Sequence, residues 1–252
     1  MDLTNLTWPA VAALSKDTPV VIPLAALEQH GHHLPLFTDS MLTAEIVRRV
    51  AEKLGDRVLF APLQWLGNSD HHMDFAGTLS AAPRCYLDLL CSLADNFLHH
   101  GFRRLIFLNG HGGNDVPGKQ AVFELRQKHR QRDDLLLLFA TYWNAGAGAT
   151  GAEAGCTQTE MGHACEWETS MILRIAPQLV GDYASAPDVD PGRPFLPATR
   201  GWVTQDRSHP GHIGSPRLAS AEKGEKLLQC FARDVTALLE RVLAWNGKDW
   251  NG

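Results

Sequence analysis

Metal-capable side chains are concentrated in one short stretch of this 252-residue chain, residues 28–39, which reads EQHGHHLPLFTD. Glu28 and His30 are two positions apart, so on an extended or looping backbone they can face different metal ions. The two carboxylate oxygens of Asp39 can bridge such a pair of ions, and imidazole and carboxylate groups are ordinary ligands for divalent metals. This stretch therefore predicts part of a two-metal centre.

Two further polar clusters supply the rest of a ligand set: NGHGGND at residues 109–115 and HACEWETS at residues 163–170. Three carboxylates and two neutral imidazoles would balance two divalent cations with one bridging hydroxide. A mixed set of nitrogen and oxygen ligands suits Zn, Mn or Fe(II) and does not suit a thiolate-preferring metal. We expect the two ions to be held by Glu28, His30, Asp39, His111 and Glu166.

The elements that must position these residues follow from four apolar runs with helical patterns between them. Nearly continuous apolar runs are typical of strands buried on both faces. Alternation of such strands with helices predicts an α/β fold, with a mostly parallel sheet and helices on both of its faces. The predicted strands are residues 19–27, 57–66, 103–110 and 135–143, and the predicted helices are residues 40–54, 84–100, 117–130 and 217–245.

The polar clusters follow the predicted strands directly. The first strand ends near Leu27, before the cluster at 28–39, and the third ends in the cluster at 109–115. Because ligand sites in open parallel sheets form at the carboxyl ends of strands, we expect both clusters at one edge of the sheet. The segments 144–162 and 183–216 lack periodicity, which predicts irregular lids or binding loops.

Composition narrows the class of protein. The net charge is −5 and no Lys/Arg run is present, so we expect neither a nucleic-acid nor a membrane partner. The five cysteines form no CxxC pair, which favours reduced thiols. No signal peptide and no apolar run of ~20 residues is found. We expect a cytoplasmic protein with a single domain over residues 1–252.

Four motifs together resemble the creatininase family of amidohydrolases: EQHGHHLPLFTD, FAGTLS, NGHGGN and HACEWETS. The resemblance runs from LTWPAV near the N-terminus to SPRLASAEKGEKLL at 215–228. It implies a three-layer α/β sandwich, a binuclear metal hydrolase and a homo-oligomer, commonly a hexamer. By this resemblance Glu28, Asp39 and His111 hold one metal, while His30, Asp39 and a further carboxylate hold the second. His163 resembles the proton-shuttling histidine of the family.

The chain departs from creatininase itself in the third of these motifs, NGHGGN. There NGH is followed by a Tyr–Glu pair whose glutamate is a metal ligand, whereas this chain has Gly113 at that position. We expect Glu166 to supply the missing carboxylate. Glu168 either orients His163 or takes the place of Glu166, and the sequence leaves these roles open. The exchange resembles the family branch that includes formamide hydrolases and the mycofactocin-peptide peptidase.

The expected reaction is attack of a metal-bridging hydroxide on a small-molecule cyclic amide, formamide or related amide, with His163 donating a proton to the leaving nitrogen. Of the two tryptophans that frame creatinine in creatininase, Trp143 matches one, and Thr159 stands at the other position. Creatinine is therefore disfavoured as substrate. We expect Trp143, His72 and Thr78 to contact the substrate. The alternatives are a metallopeptidase acting on a short peptide terminus and a non-catalytic metal-binding member of the fold.

Overall fold

A parallel sheet forms the centre of the computed structural model, which describes residues 1–146 and 150–250. Residues 147–149, part of the predicted irregular segment 144–162, lie outside the described residues. The strand order is β2-β1-β3-β4, and every pair is parallel. Each strand falls inside one of the four predicted apolar runs, so the strand predictions are confirmed. The strands are β1 (Val20–Leu24), β2 (Leu59–Phe60), β3 (Arg104–Asn109) and β4 (Leu136–Thr141).

Helices follow the strands as predicted, although the last one begins later than expected. Residues 216–218 form a single 3-10 turn, and the side chain of Ser220 then accepts a hydrogen bond from the Lys223 amide to cap the final helix. Two short helices interrupt the segments predicted to be irregular. The helices are α1 (Trp8–Ala13), α2 (Thr38–Leu54), α3 (Pro83–His99), α4 (Asp115–Lys128), α5 (Thr150–Ala154), α6 (Glu166–Ile175), α7 (Thr204–Arg207) and α8 (Ala221–Ala244).

Alternate side chains of the sheet are buried under helices on opposite faces. On β1, Val20, Ile22 and Leu24 pack with α3 and α4, while Val21 packs with α2, α6 and α8. Because successive residues of a strand point to opposite faces, both faces must be apolar to be covered in this way. This arrangement confirms the predicted α/β sandwich.

The three helices on one face are also joined by ion pairs. Arg49 of α2 donates two hydrogen bonds, of 2.8 and 2.9 Å, to the carboxylate of Glu225 in α8, and a third of 2.7 Å to Glu45. Arg174 of α6 donates to Glu225 at 2.8 Å. These contacts connect α2, α6 and α8 through one carboxylate.

The strand order places a crevice at the carboxyl edge of the sheet. After β1 the chain crosses to β2 on one side, and after β3 it crosses to β4 on the other. The loops that follow β1 and β3 therefore diverge, which is the usual position for a ligand site in an open parallel sheet. Residues 28–37 and His111 lie in these loops, and Asp39 follows in the first turn of α2. None of the helices in the described part of the chain is long and apolar enough to cross a membrane.

Candidate metal centre

Asp39 lies at the centre of the cluster, in the first turn of α2, where the helix N-terminus favours a carboxylate. Its Oδ1 is 3.1 Å from Nε2 of His30, and its Oδ2 is 3.0 Å from Nδ1 of His111. Burial alone would raise the pKa of Asp39, but the two imidazoles hold it well below its usual range. One imidazole therefore faces each oxygen of a single buried carboxylate.

The outer nitrogens of both imidazoles are held by backbone carbonyls. His30 Nδ1 donates to the Glu28 carbonyl at 3.1 Å, and His111 Nε2 donates to the Asn68 carbonyl at 2.9 Å. A histidine must be neutral to bind a metal and then carries one ring proton, so in that form these bonds leave the lone pairs of His30 Nε2 and His111 Nδ1 pointing at Asp39. Metal-ligating histidines are usually oriented in this way.

The carboxylate oxygens of the cluster lack donors. Both oxygens of Glu28 and the Oδ2 of Asp39 are buried without a hydrogen-bond partner among the described residues. His111 Nδ1 lies 3.3 Å from Glu28 Oε1 and close to Asp39 Oδ2, but these contacts are not aligned as hydrogen bonds. Buried carboxylates without donors are costly. A divalent cation would satisfy them, so these residues fit a metal.

Proton affinities in the cluster reflect the same excess of negative charge. Burial alone would lower the pKa values of His30 and His111, yet both are raised well above the usual value for histidine. For His30 the carboxylates of Asp39 and Glu168 outweigh burial, and for His111 those of Glu28 and Asp39 do so. The site therefore attracts positive charge, which metal ions would supply.

Glu168 reaches the cluster from the first turn of α6. Its Oε1 is 3.8 Å from His30 Nε2, and its Oε2 accepts a hydrogen bond of 2.5 Å from the Ala164 amide. Ligand atoms of His30, His163 and Glu168 all lie within 4.8 Å of one another. A carboxylate is therefore present on the His30 side of Asp39.

Glu166 is turned away from the cluster, so the expectation that it is a metal ligand is wrong. Its carboxylate forms an ion pair of 2.6 Å with Lys223 and accepts the backbone N–H groups of Thr157 and Gln158. Residues two positions apart on a helix do not face the same side, so only one of Glu166 and Glu168 can point at the crevice. Glu168 is that residue.

His163 lies between two other imidazoles of the site. Its ring centroid is 4.4 Å from that of His30 and 4.4 Å from that of His72. Nε2 donates to the Gln29 carbonyl at 2.8 Å, which leaves the Nδ1 lone pair 3.6 Å from Glu28 Oε1. Burial and the charge of His30 lower the pKa of His163 to about 3. The neutral form of His163 is thus favoured, and in that form it would accept a proton before passing it on.

Gln29 is a buried contact residue that the sequence-based reasoning missed. Its side-chain amide bonds to His72 Nδ1 at 2.8 Å and to the Gly211 carbonyl at 2.8 Å. Its backbone N–H donates to Thr78 Oγ1 at 3.1 Å. Thr78 is buried and does not line the cleft, so it supports this loop and does not contact substrate as expected. Its place in the sequence between two expected metal ligands, Glu28 and His30, could have indicated that Gln29 lies in the site.

A cleft of about 1010 Å³ opens over the cluster. Trp143 and His72 line it, as does Thr159 at the position where creatininase has its second tryptophan. A second indole nevertheless reaches the cleft from the segment 183–216. This is Trp202, whose ring meets the edge of His71 at a centroid distance of 5.0 Å.

The structure explains why position 113 carries no glutamate. A Cβ atom on Gly113 would collide with the Asn68 carbonyl oxygen, with His111 Nε2 and with the His71 ring. The bond between Asn68 and His111 fills the space that a side chain would need. Any carboxylate on the His30 side must therefore come from another element, as Glu168 does.

Sequence comparison places this geometry in a family. The profile described as "Creatininase: Creatinine amidohydrolase" matches residues 4–239. The chain belongs to the creatininase family. This confirms the resemblance seen in the motifs and, at the level of the family, the prediction of a hydrolase acting on amide-type C–N bonds.

Curated relatives of this creatininase-family chain differ in the activity they are named for. A mycofactocin precursor peptide peptidase from Mycobacterium ulcerans (strain Agy99) is 32% identical, over 95% of this chain and 86% of that protein. A creatinine amidohydrolase from Pseudomonas putida is 31% identical, over 92% and 93% respectively. The substrate therefore does not follow from family membership.

Solved creatininases share the fold. A mutant creatininase complexed with creatine has a TM-score of 0.81 at 26% identity, covering 96% of this chain and 98% of that one. A creatininase described as the Mn form has a TM-score of 0.79 at 27% identity, covering 95% and 97%.

Proposed function

We propose that this creatininase-family hydrolase binds two divalent metal ions and hydrolyses the C–N bond of a small-molecule amide. One observation carries the proposal: the two oxygens of Asp39 each face a ring nitrogen of a different imidazole, at 3.1 Å for His30 and 3.0 Å for His111. A carboxylate flanked in this way is suited to bridging two ions.

The remaining ligands divide between the two sides of Asp39. Glu28 and His111 would complete the site of one ion, because Glu28 Oε1 lies 3.3 Å from His111 Nδ1. His30 and Glu168 would complete the other, with Glu168 Oε1 at 3.8 Å from His30 Nε2. Oxygen and imidazole ligands suit Zn, Mn or Fe(II).

Two bound ions would supply a water of lowered pKa and a positive charge to polarise the substrate carbonyl. The neutral His163 is placed to accept a proton at Nδ1 and pass it to the leaving nitrogen, since its Nε2 is already bonded to the Gln29 carbonyl. Glu168 also fixes the backbone beside His163 through the Ala164 amide. His163 is thus proposed as a proton shuttle and Glu168 as both ligand and support.

The cleft favours a substrate larger than a single small ring. Its volume of about 1010 Å³ is at the upper end of the range of small-molecule sites. Trp143 and His72 would contact a cyclic amide, a formamide on a heterocycle or a related amide. The same volume supports a second candidate, a peptidase acting on a short peptide terminus. A relative that is 32% identical is named a mycofactocin precursor peptide peptidase.

Metal analysis of the purified protein tests the proposal. After loading with Zn or Mn and removal of free metal, we expect two equivalents per chain, and about none in Asp39→Ala because a bridging ligand serves both ions. Asp115→Ala is the matched control, since this carboxylate is close in sequence to His111 but pairs with Lys119. Two tightly held ions in Asp39→Ala would overturn the bridging role.

A substrate panel then separates the candidates. Lactams, formamides, linear amides and short peptides are assayed for release of the amine in the protein loaded with two ions. Turnover of formamides or lactams supports the amidohydrolase, and turnover of peptides alone supports the peptidase. Full metal content without turnover of any member would favour a non-catalytic metal-binding protein. A cytoplasmic location, a homo-oligomer such as a hexamer, and a single domain over 1–252 stay predictions.

A further inference from the structure

The short helix α7 is attached directly to the edge of the metal centre. Its first residue, Thr204, is buried, and its Oγ1 lies 2.9 Å from Nδ1 of His72. His72 in turn places Nε2 3.3 Å from Glu28 Oε1. The position of α7 over the crevice is therefore fixed by a contact with a residue of the site.

Arg207 is placed on the same side of α7 as Thr204. The two residues are three positions apart, so on a helical turn their side chains lie on one face. The guanidinium carbon of Arg207 is 4.4 Å from the ring centroid of Trp202, and Trp202 meets the edge of His71. Both Arg207 and Trp202 line the cleft that opens over Asp39.

Within residues 1–146 and 150–250, Arg207 has no carboxylate within 4 Å and no hydrogen-bond acceptor. Arg200 also lines the cleft without a carboxylate partner, but it is exposed, whereas Arg207 is partly buried. Arg193 is paired with Glu160 at 2.6 Å, and Arg217 with Asp188 at 2.6 Å. Arg207 is half-buried, and burial together with the charge of Arg193 lowers its pKa. Its N–H donors are thus partly buried in the cleft without an acceptor, and an anion bound there would stabilise them.

We propose that Arg207 binds a free carboxylate of the substrate, so that the protein acts on amides that carry an acid group away from the scissile bond. This rests on the proposed function, because it assumes that the cleft over Asp39 is the catalytic one. A planar carboxylate matches one guanidinium fork. A phosphate dianion would call for a second cation that is buried beside Arg207 and free of a partner. Arg193 is already paired with Glu160, and Arg200 is exposed over Phe195.

Two hydroxamates test the proposal by binding rather than turnover. Glutaric acid monohydroxamate carries a metal-binding hydroxamate and a carboxylate, and its carboxamide analogue replaces the carboxylate with a neutral group. In the Zn-loaded protein we expect calorimetry to show the acid binding tighter than the amide, on the order of ten- to hundredfold. Arg207→Met should remove the preference and Arg207→Lys should keep part of it. Arg200→Met removes the other cleft arginine that lacks a carboxylate partner, and it should keep the full preference because Arg200 is exposed.

The outcomes separate this proposal from the proposed function. If neither hydroxamate binds, the proposed metal centre is contradicted. The carboxylate site is then tested by an experiment on the protein without metal. There, glutarate should slow modification of Arg207 by phenylglyoxal, measured by mass spectrometry on the Arg207 peptide, but should not slow modification of Arg200. Equal binding of acid and amide, a preference that survives in Arg207→Met, or absence of protection by glutarate would each overturn the proposal. Metal content and melting temperature of each variant show that it is folded.

Discussion

Hydrogen-bond direction decides which histidines of this site can bind a metal. His30 and His111 each donate their outer N–H to a backbone carbonyl, so in its neutral form each presents a lone pair to Asp39. A residue list alone can propose such histidines, but it cannot show which nitrogen is free. The carbonyl of Asn68, on which His111 depends, belongs to a backbone group that no side-chain pattern reveals.

Glu166 and Glu168 should respond differently to loss of charge. Glu168→Gln should lose about one ion per chain, because the carboxylate beside His30 becomes a neutral amide. Glu166→Gln should keep both ions but lower the free energy of unfolding by about 1–3 kcal/mol, since Lys223 loses its charged partner. Metal analysis and urea unfolding measure the two effects. Loss of metal in Glu166→Gln with none in Glu168→Gln would exchange the two roles.

Gly113 should not tolerate even one added carbon. In Gly113→Ala the new Cβ collides with the Asn68 carbonyl and with the His111 ring. We expect a destabilisation of about 1–3 kcal/mol, the usual cost of overpacking, together with weakened binding of the ion beside His111. Gly112→Ala is the control, because a Cβ there meets no atom within 4 Å. Equal stability and metal content in the two variants would contradict this explanation.

At the scale of elements, local contacts were predictable and distant ones were not. The strands were predicted because a sheet covered on both faces requires nearly continuous apolar runs, as in β3 (Arg104–Asn109). The stripe of Leu42 and Ile46 along α2 is buried, as its spacing indicates. The choice between Glu166 and Glu168 was open because it depends on which side of α6 faces the crevice. The anchor of α7 joins Thr204 to a residue 132 positions away, so no local pattern could predict it.

This anchor should control the mobility of α7. Thr204→Val keeps the shape of the side chain but removes the hydrogen bond to His72, which contributes about 1 kcal/mol. We expect backbone amides of α7 to exchange hydrogen roughly fivefold faster, because 1 kcal/mol changes a local opening equilibrium by about that factor. Metal content should not change. Thr199→Val, at an exposed position of the same segment, should leave exchange unaltered; equal protection in both variants would show that the anchor is unimportant.

At the scale of the whole molecule, the cleft is built from segments far apart in the chain, and this governs substrate choice. Trp143 follows β4, whereas Trp202 comes from the segment between α6 and α8. Thr159 lines the cleft at the position where creatininase has its second tryptophan. Trp202 also stacks on Arg207, so its indole is already engaged. The aromatic walls of this cleft are therefore not those that frame creatinine.

We predict that creatinine is hydrolysed poorly. A flat lactam needs two aromatic faces in register, and loss of that positioning costs on the order of a hundredfold in rate. The measurement is creatinine turnover by protein loaded with Zn or Mn. A turnover number in the ordinary enzyme range, ~1–10³ s⁻¹, would restore creatininase proper as the activity of this chain.

The ion pairs between Arg49, Arg174 and Glu225 have a consequence for salt tolerance. They join α2 and α6 through α8, and the N-termini of α2 and α6 carry Asp39 and Glu168. The Arg49–Glu225 pair is partly buried and in direct contact at 2.8 Å, so it is screened little even when the Debye length falls to about 3 Å in 1 M salt. The Arg174–Glu225 pair is more exposed and adds less under these conditions. Dialysis against high salt should therefore leave the metal content unchanged, whereas Glu225→Gln should make it sensitive to salt. If wild type and variant lose metal to the same extent, the ion pairs do not set the separation of Asp39 and Glu168. If only the variant loses metal in high salt, the ion pairs allow the protein to keep its metals across a wide range of ionic strength.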